Sequence, residues 1–397
     1  MQRPPLRLAG TLFRNARMSD GETHSLRIVG ARIAGIDVSP QAGDSTVDLA
    51  GDRILPGLIN AHDHLQLNSL VPREFGKRHR HVRDWIAEVD TDRRCNPAFQ
   101  ASIAIARDER LLIGGLKNLL SGVTTVAHHD PLYSFTSSTD YPTGVLREFG
   151  WSHSLYAHGE TAVKDSYRQT PAALPWIIHV AEGLDDAASD EFERLDSLGC
   201  LGTNTLLVHG IALDLTQRTR LAHAGGGLIW CPSSNFNLFG RTADVAELAA
   251  NGRIALGTDS RLSGARDLLE ELRVAAQCGD LDEQTLESLV TRDGARLLRL
   301  QDRGALHANA RADLVVLPPN GRLGTVSRSD VRLVMIDGRV RYGDQHYARR
   351  IEPKSAWADV RVDGKPKVLR LRIAELLACA SVSEPGLELP QAAGRAA

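Results

Sequence analysis

Two histidines separated by a single residue, His62 and His64 in LPGLINAHDHLQL, end a strand-sized apolar run. In extended backbone successive side chains alternate between faces, so this spacing aims both imidazoles the same way. Two neutral imidazoles on one face make a ready pair of metal ligands. Similar endings recur downstream. His179 closes the run WII and is followed three residues later by Glu182; His209 closes TLLV; Asp259 follows IALGT. Imidazoles and a carboxylate drawn from this group suit Zn2+ or Fe2+, and a coordination position left to water would make such a site catalytic rather than structural. A lone strand-end histidine is commonly just a hydrogen-bonded structural residue, and an Asp after Gly-Thr is commonly a turn or helix cap. That ordinary reading does not explain the ordered set, in which each member sits at the C-terminal edge of a strand-like run.

The elements that must position these residues alternate short apolar runs with amphipathic helical patterns, the habit of a parallel βα repeat. The runs are GVTTVAHH at 122–129, HSLYAHG at 153–159, WIIHVAEG at 176–183, TLLVHGIAL at 205–213, GGLIWCPSSN at 226–235 and RIALGTDS at 253–260. Between them lie helical patterns such as ASIAIARDERLLIGGLKNLLSG, SDEFERLDSLG and ADVAELAANG, whose Gly endings resemble C-caps. The span 57–302 is close to the ~250 residues of a (β/α)8 barrel, in which active sites occupy the C-terminal ends of the strands. Outside it, LRLAGTLF, SLRIVGARIAGIDV and STVDLAGDRILP in the first 56 residues, with ADLVVLPP and VRLVMIDGRVRYGD within 303–350, read as short strands. The expectation is an α/β protein. A TIM barrel at 57–302 would carry a small discontinuous β-sandwich built from 1–56 and 303–350, and 351–397 would be a peripheral helix, KVLRLRIAELLACA, followed by a tail.

Composition narrows the function. With 47 Lys+Arg against 49 Asp+Glu, the net charge of -2 provides no long-range field for nucleic acid or an anionic membrane. Five cysteines, at 95, 200, 231, 278 and 379, form no CxxC pair, so neither a zinc ribbon nor a disulfide framework is indicated. No run approaches the ~20 apolar residues of a membrane span, and the N-terminus lacks a signal-peptide core. These features set the expectation of a cytoplasmic protein that handles a small molecule, with neither nucleic acid nor membrane as partner.

Taken together, the motifs resemble the amidohydrolase superfamily, in its cytosine deaminase-like and chlorohydrolase-like branch, over nearly the whole chain. DLAGDRILPGLINAHDHLQL is similar to the family's first barrel strand. HVAE at 179–182 resembles its His-x-x-Glu element, CPSSN at 231–235 its Cys-Pro-x-Ser-Asn loop, LGTDS at 256–260 its last barrel strand, and GALHANARADLVVL with VMIDGRVRYGD its return to the small β domain. The resemblance implies one divalent metal ion, Zn2+ or alternatively Fe2+, on His62, His64, His179 and Asp259. It implies His209 beside the metal-bound water and Glu182 as proton shuttle, so that Glu182, His209 and Asp259 are the catalytic group. It also implies self-association as a homo-oligomer. No lysine stands where two-metal relatives carry a carboxylated bridge, and His158 or Glu160 is expected to end the fourth strand instead. Two departures stand out: Trp230 replaces a His that often precedes the Cys-Pro loop, and His128, His129 and Asp130 follow the second strand.

The substrate contacts expected are Trp230, Asn235, Arg261 and His129. The basic segment 73–83 has two readings, a lid over an anionic substrate or a solvated face with incidental charge. The reaction expected is deamination of an aminated heterocycle or amidine. Hydrolysis of an amide, lactam, or ring-bound chloride or alkylamine is the nearest alternative, and a catalytically silent binding protein on the same fold a distant one.

Overall fold

Alternating apolar residues shape the outer layer of the protein. The computed structural model describes residues 9–73, 75–278 and 280–390. The first three residues of LRLAGTLF and the end of the expected tail, 391–397, lie outside them. Five strands come first: β1 (Thr11–Arg17), β2 (Thr23–Val29), β3 (Arg32–Ile36), β4 (Ser45–Asp48) and β5 (Arg53–Pro56).

Residues 58–256 change habit. Here β6 (Leu58–Asp63), β7 (Val123–His128) and β8 (Gly144–Val145) make one parallel sheet, and β9 (Gly150–Ser154), β10 (Trp176–Val180), β11 (Thr205–His209), β12 (Gly227–Trp230) and β13 (Ile254–Leu256) make another in chain order. These strands are apolar almost throughout because both of their faces are covered. Ile177, Val208, Ile229 and Ala255 meet in one apolar cluster, whereas Ile178, Leu207, Leu228 and Leu256 belong to a separate core. The last run reaches back to the first: the Thr258 and Asp259 amides donate to the His62 carbonyl at 3.0 and 3.1 Å.

Local chemistry moves several boundaries. The run expected as a strand at 153–159 is strand only to Ser154, whose hydroxyl accepts from the Ala157 amide and starts the short helix Leu155–His158. His158 and Glu160 therefore do not end the fourth strand, and Glu160 pairs with Arg194 at the surface. The helix expected across 101–122 is two, Pro97–Ala104 and Arg107–Leu120, separated at Ile105 and Ala106, which take extended ψ angles of 136°.

The later strands, β14 (Leu314–Leu317), β15 (Leu333–Ile336), β16 (Arg339–Gly343), β17 (Trp357–Val362), β18 (Lys365–Arg370) and β19 (Leu387–Glu388), join the first five. Where a sandwich of two sheets is expected, the ladders run on through one eleven-stranded sheet, because β5 pairs with β1 on one side and with β14 on the other. Alternation gives this sheet two dry faces. Leu314 and Val316 pack with Phe13 and Ile33, while Val315 and Leu317 join the core around Leu116 and Leu120 of helix Arg107–Leu120. The segment expected to be only helix and tail also supplies β17 and β18, since Lys365–Arg370 pairs along its whole length with Trp357–Val362. Of the expected helix KVLRLRIAELLACA, only Leu371–Cys379 is helical.

A buried ionic clamp ties this C-terminal segment to the loop after β13. Glu384 accepts from Arg261 Nη1 and Nη2 at 2.8 and 2.6 Å and from Arg328 Nη1 at 2.5 Å. All three side chains are almost fully buried. Removing one member of such a group strands the others in low dielectric, which costs roughly 3–5 kcal/mol. Glu384→Ala should lower the unfolding free energy by that amount, read as a reduced urea midpoint. A loss below about 1 kcal/mol would show that the two guanidiniums find other anions.

Candidate active site

Strand ends deliver the chemistry expected of them. His62 lies on β6 with His64 just beyond it, His179 on β10 with Glu182 two residues past its end, His209 at the end of β11, and Asp259 three residues after β13. All six are buried. The Nε2 atoms of His62 and His179 face each other at 3.2 Å. Asp259 Oδ1 lies 4.0 Å from His62 Nε2 and 3.8 Å from His64 Nε2. Glu182 Oε1 lies 3.5 Å from His209 Nε2. His209 and Asp259 hold left-handed backbone, φ 72° and 51°. That conformation is uncommon outside glycine, and the surrounding structure must hold it in place.

The rings of His179 and His64 are aimed from behind. His179 Nδ1 donates to the His153 carbonyl at 2.7 Å, and His64 Nδ1 to Asp130 Oδ2 at 2.7 Å, which assigns the proton to Nδ1 and turns Nε2 inward. Asp259 Oδ2 accepts from the hydroxyls of Ser234 and Ser263, both at 2.8 Å. Beneath the group lies a salt bridge absent from the sequence reading: Lys117 Nζ, fully buried, sits 3.3 Å from Asp63 Oδ2. The same ammonium donates to Asn68 Oδ1, to Thr258 Oγ1 and to the Asp259 carbonyl at 2.8, 2.9 and 3.0 Å. A Lys-Asn pair inside the apolar helix LLIGGLKNLL, and an Asp between the two histidines, are the signals that could have revealed it.

Burial, followed by neighbouring histidines, pushes His62 and His179 well below the usual imidazole pKa. His64 is opposed: burial disfavours its cation, but Asp130, with Asp259 and Asp63, outweighs this and brings it up to about 9. Burial, with Asp259 and Glu191 nearby, pushes Glu182 well above the carboxylate range, toward its protonated form. His62 and His179, held toward their neutral forms, and Asp259, held toward its ionised form, suit a divalent metal ion, whose binding would displace the second proton of His64. His62 Nδ1, buried with no hydrogen-bond partner, fits the same reading.

Residues 173–341 match the amidohydrolase family. A 5-methylthioadenosine/S-adenosylhomocysteine deaminase from Haloarcula marismortui is 32% identical over 368 residues, covering 76% of this chain and 84% of that protein. The chain belongs to the amidohydrolase family. As an amidohydrolase it is a hydrolase of carbon–nitrogen bonds other than peptide bonds. Two zinc-containing crystal structures share its fold at 18% identity and a TM-score of 0.68. Atrazine chlorohydrolase from Arthrobacter aurescens matches over 83% of this chain and 94% of its own. An adenosine deaminase from Xanthomonas campestris matches over 86% and 95%.

In this amidohydrolase two expected substrate contacts point elsewhere. Trp230 shares a face of β12 with Leu228 and belongs to the core packed outside the strand, because Ile229 and Cys231 take the opposite face. Its indole Nε1 donates to Thr242 Oγ1 at 2.7 Å. Arg261 is committed to Glu384 and, through Nε, to the Arg266 carbonyl at 2.7 Å. Asn235 is buried behind the site rather than open to a substrate. Its amide nitrogen donates to Thr242 Oγ1 at 3.1 Å, and its Oδ1 accepts from His209 Nδ1 at 2.8 Å. Thr242 therefore anchors both Trp230 and Asn235, and Asn235 fixes the His209 tautomer. His129, by contrast, lies among the metal-type imidazoles, its ring 4.6 Å from that of His179.

The basic segment is a strap across the strand ends. Val82 donates to the Glu182 carbonyl at 3.1 Å, Leu184 to the Arg80 carbonyl at 2.7 Å, and His79 to the Leu238 carbonyl at 2.8 Å. Four of its five Lys and Arg side chains have protein partners, Arg73 with Asp92, Lys77 with Glu88, Arg83 with Glu191 at 3.6 Å, and Arg78 with the Phe236 and Asn237 carbonyls, while Arg80 is exposed. This leaves little positive charge for an anionic substrate.

Glu271 on helix Leu268–Cys278 is fully buried, accepts from the Ser233 amide at 2.8 Å through Oε1, and has no partner for Oε2. Burial raises its carboxyl from an ordinary 4.5 to about 8. Between those values the folded protein keeps a proton that the unfolded chain has released, so stability falls as pH rises through that window. Glu271→Gln should flatten the loss. Urea midpoints at pH 5.5 and 8 should converge in the variant relative to the parent, and an unchanged slope would show that Glu271 is ionised throughout.

Proposed function

We propose that this amidohydrolase uses one divalent metal ion, zinc, to deaminate an aminated heterocycle, with His62, His64, His179 and Asp259 as ligands. The observation that carries the reading is the pairing of buried Glu182 with His209, 3.5 Å apart, at the edge of a buried imidazole group. The relative from Haloarcula and the Xanthomonas structure are both named as deaminases of adenine-bearing compounds. A second reading, displacement of a ring-bound chloride or alkylamine, is favoured by the likeness to the Arthrobacter chlorohydrolase. Eight parallel strands, β6 to β13, would close into a (β/α)8 barrel at 57–302. The His62 carbonyl, accepting from Thr258 and Asp259, supports closure. The eleven-stranded sheet would form a second module from the two terminal segments, with 351–390 included. Five free cysteines suit a reducing compartment, the cytoplasm.

A divalent metal in this site would lower the pKa of a coordinated water to about 7, supplying hydroxide at neutral pH. Asp259, ionised and held by two serine hydroxyls, is placed to accept the water proton. Glu182, held toward its acid form, would protonate a ring nitrogen, regain the water proton taken by Asp259, pass it to the departing amine, and recover the remaining hydroxyl proton as the carbonyl forms. His209, expected beside the metal-bound water, would act there as an acceptor. With Nδ1–H given to Asn235, a neutral His209 presents Nε2 as an acceptor, so it orients the Glu182 hydroxyl or a water.

Glu182→Gln should retain the metal and lose at least about a hundredfold in kcat, measured by ammonia release over a purine, pyrimidine, pterin and triazine panel. Unchanged turnover removes Glu182 from the reaction. His62→Ala and Asp259→Ala should lose metal and activity together, and full metal occupancy in either variant would overturn the ligand assignment. Asn235→Leu should keep its metal while kcat/KM falls by roughly tenfold or more; a parental rate would show that His209 needs no fixed tautomer.

A further inference from the structure

The imidazole group that converges in space differs from the ligand set assigned above. One ring nitrogen from each of His62, His64, His129 and His179 lies within 4.8 Å of all the others. His129 follows the last residue of β7 and is 1% exposed. Its ring centroid is 5.0 Å from that of His62 and 5.8 Å from that of His64. Its Nε2 donates to the Ser152 carbonyl at 3.1 Å, which leaves Nδ1 with a bare lone pair. That Nδ1 is buried and meets no hydrogen-bond donor.

A packed structural histidine would satisfy both nitrogens, since buried polar atoms rarely go unpaired. His129 instead shows the arrangement of a metal-ligating histidine, in which the remote N–H is held by a carboxylate or a backbone carbonyl and the near nitrogen is left free. His179 and His64 show it too, through the His153 carbonyl and Asp130. The rings of His129 and His179 stack at an interplanar angle of 26°, so the two lie side by side toward the same group.

From this geometry we infer that His129 is a further protein ligand of the metal, bound through Nδ1 and contributed by the second parallel strand. The inference rests on the metal-hydrolase reading and deepens it. With Asp259 the protein would then offer five donors, beyond the three that zinc usually takes in a catalytic site. Such a set suits an ion that accepts higher coordination, Fe2+ among them. It also takes from the substrate a side chain that the sequence offered to it.

The test is X-ray absorption at the metal edge of the zinc-loaded wild-type protein, with zinc dissociation constants for two variants alongside. Four imidazoles in the first coordination sphere are expected, and three would overturn the inference. His129→Ala should bind zinc at least about tenfold more weakly, with circular dichroism confirming its fold; wild-type affinity overturns the inference as well. His62→Ala separates the two levels of the reading. If it loses zinc while His129→Ala does not, the metal site stands and only His129 leaves it; if it keeps zinc, the metal site itself is wrong. Should His129→Ala fail to fold, the wild-type spectrum decides alone.

Discussion

A single buried ammonium group holds the site together. Lys117 brings its charge to a position with no solvent exposure, where it faces Asp63 and donates to Asn68, Thr258 and the Asp259 backbone. Burying two charges is costly unless their hydrogen bonds are nearly complete. Here they are: Asp63 also accepts from Asn118 and Asn68 at 2.9 and 2.8 Å. The residues tied by this knot come from β6, from the helix that crosses behind it, and from the turn after β13. It therefore fixes the distance between the first and last parallel strands, and with it the placement of His62 and His64 against Asp259.

Much of the site could be read from sequence because strand periodicity is strict. Residues two apart share a face, and polar residues that interrupt an apolar run must stand where the run meets a cavity or solvent. That logic placed His62, His64, His179, Glu182, His209 and Asp259 in one region, and the structure brings them together. It also produced the parallel strands between 58 and 256 and the pairing of strands from the two terminal segments, though these form one sheet where a two-sheet sandwich was expected.

What could not be read depends on side-chain direction and on partners distant in sequence. Trp230 is adjacent to Cys231 in the chain yet lies on the other side of the strand, so its closeness to the site motif is misleading. Arg261 follows Asp259 by two residues, but its partner Glu384 is 123 residues away, and no local pattern announces the pair. Asp63 and Lys117 are similar: each sits in a context where a charge looks incidental until the other is placed beside it. The boundaries missed at Ser154 and at Ile105 reflect a single serine cap and two residues with extended backbone, details finer than an apolar run resolves.

The clamp at Glu384 has a bearing on how the protein comes into being. Its two arginines are translated well before the acid that neutralises them, Arg261 by 123 residues and Arg328 by 56. While the chain is still being made, the loop after β13 must carry its guanidinium in water, where a charge is stable, instead of in the dry interior it later occupies. The clamp on Arg261 can then close only after residue 384 has emerged. Ribosomal synthesis thus imposes an order on this enzyme: the loop that follows the last strand-end carboxylate is clamped by an acid made 123 residues after its arginine.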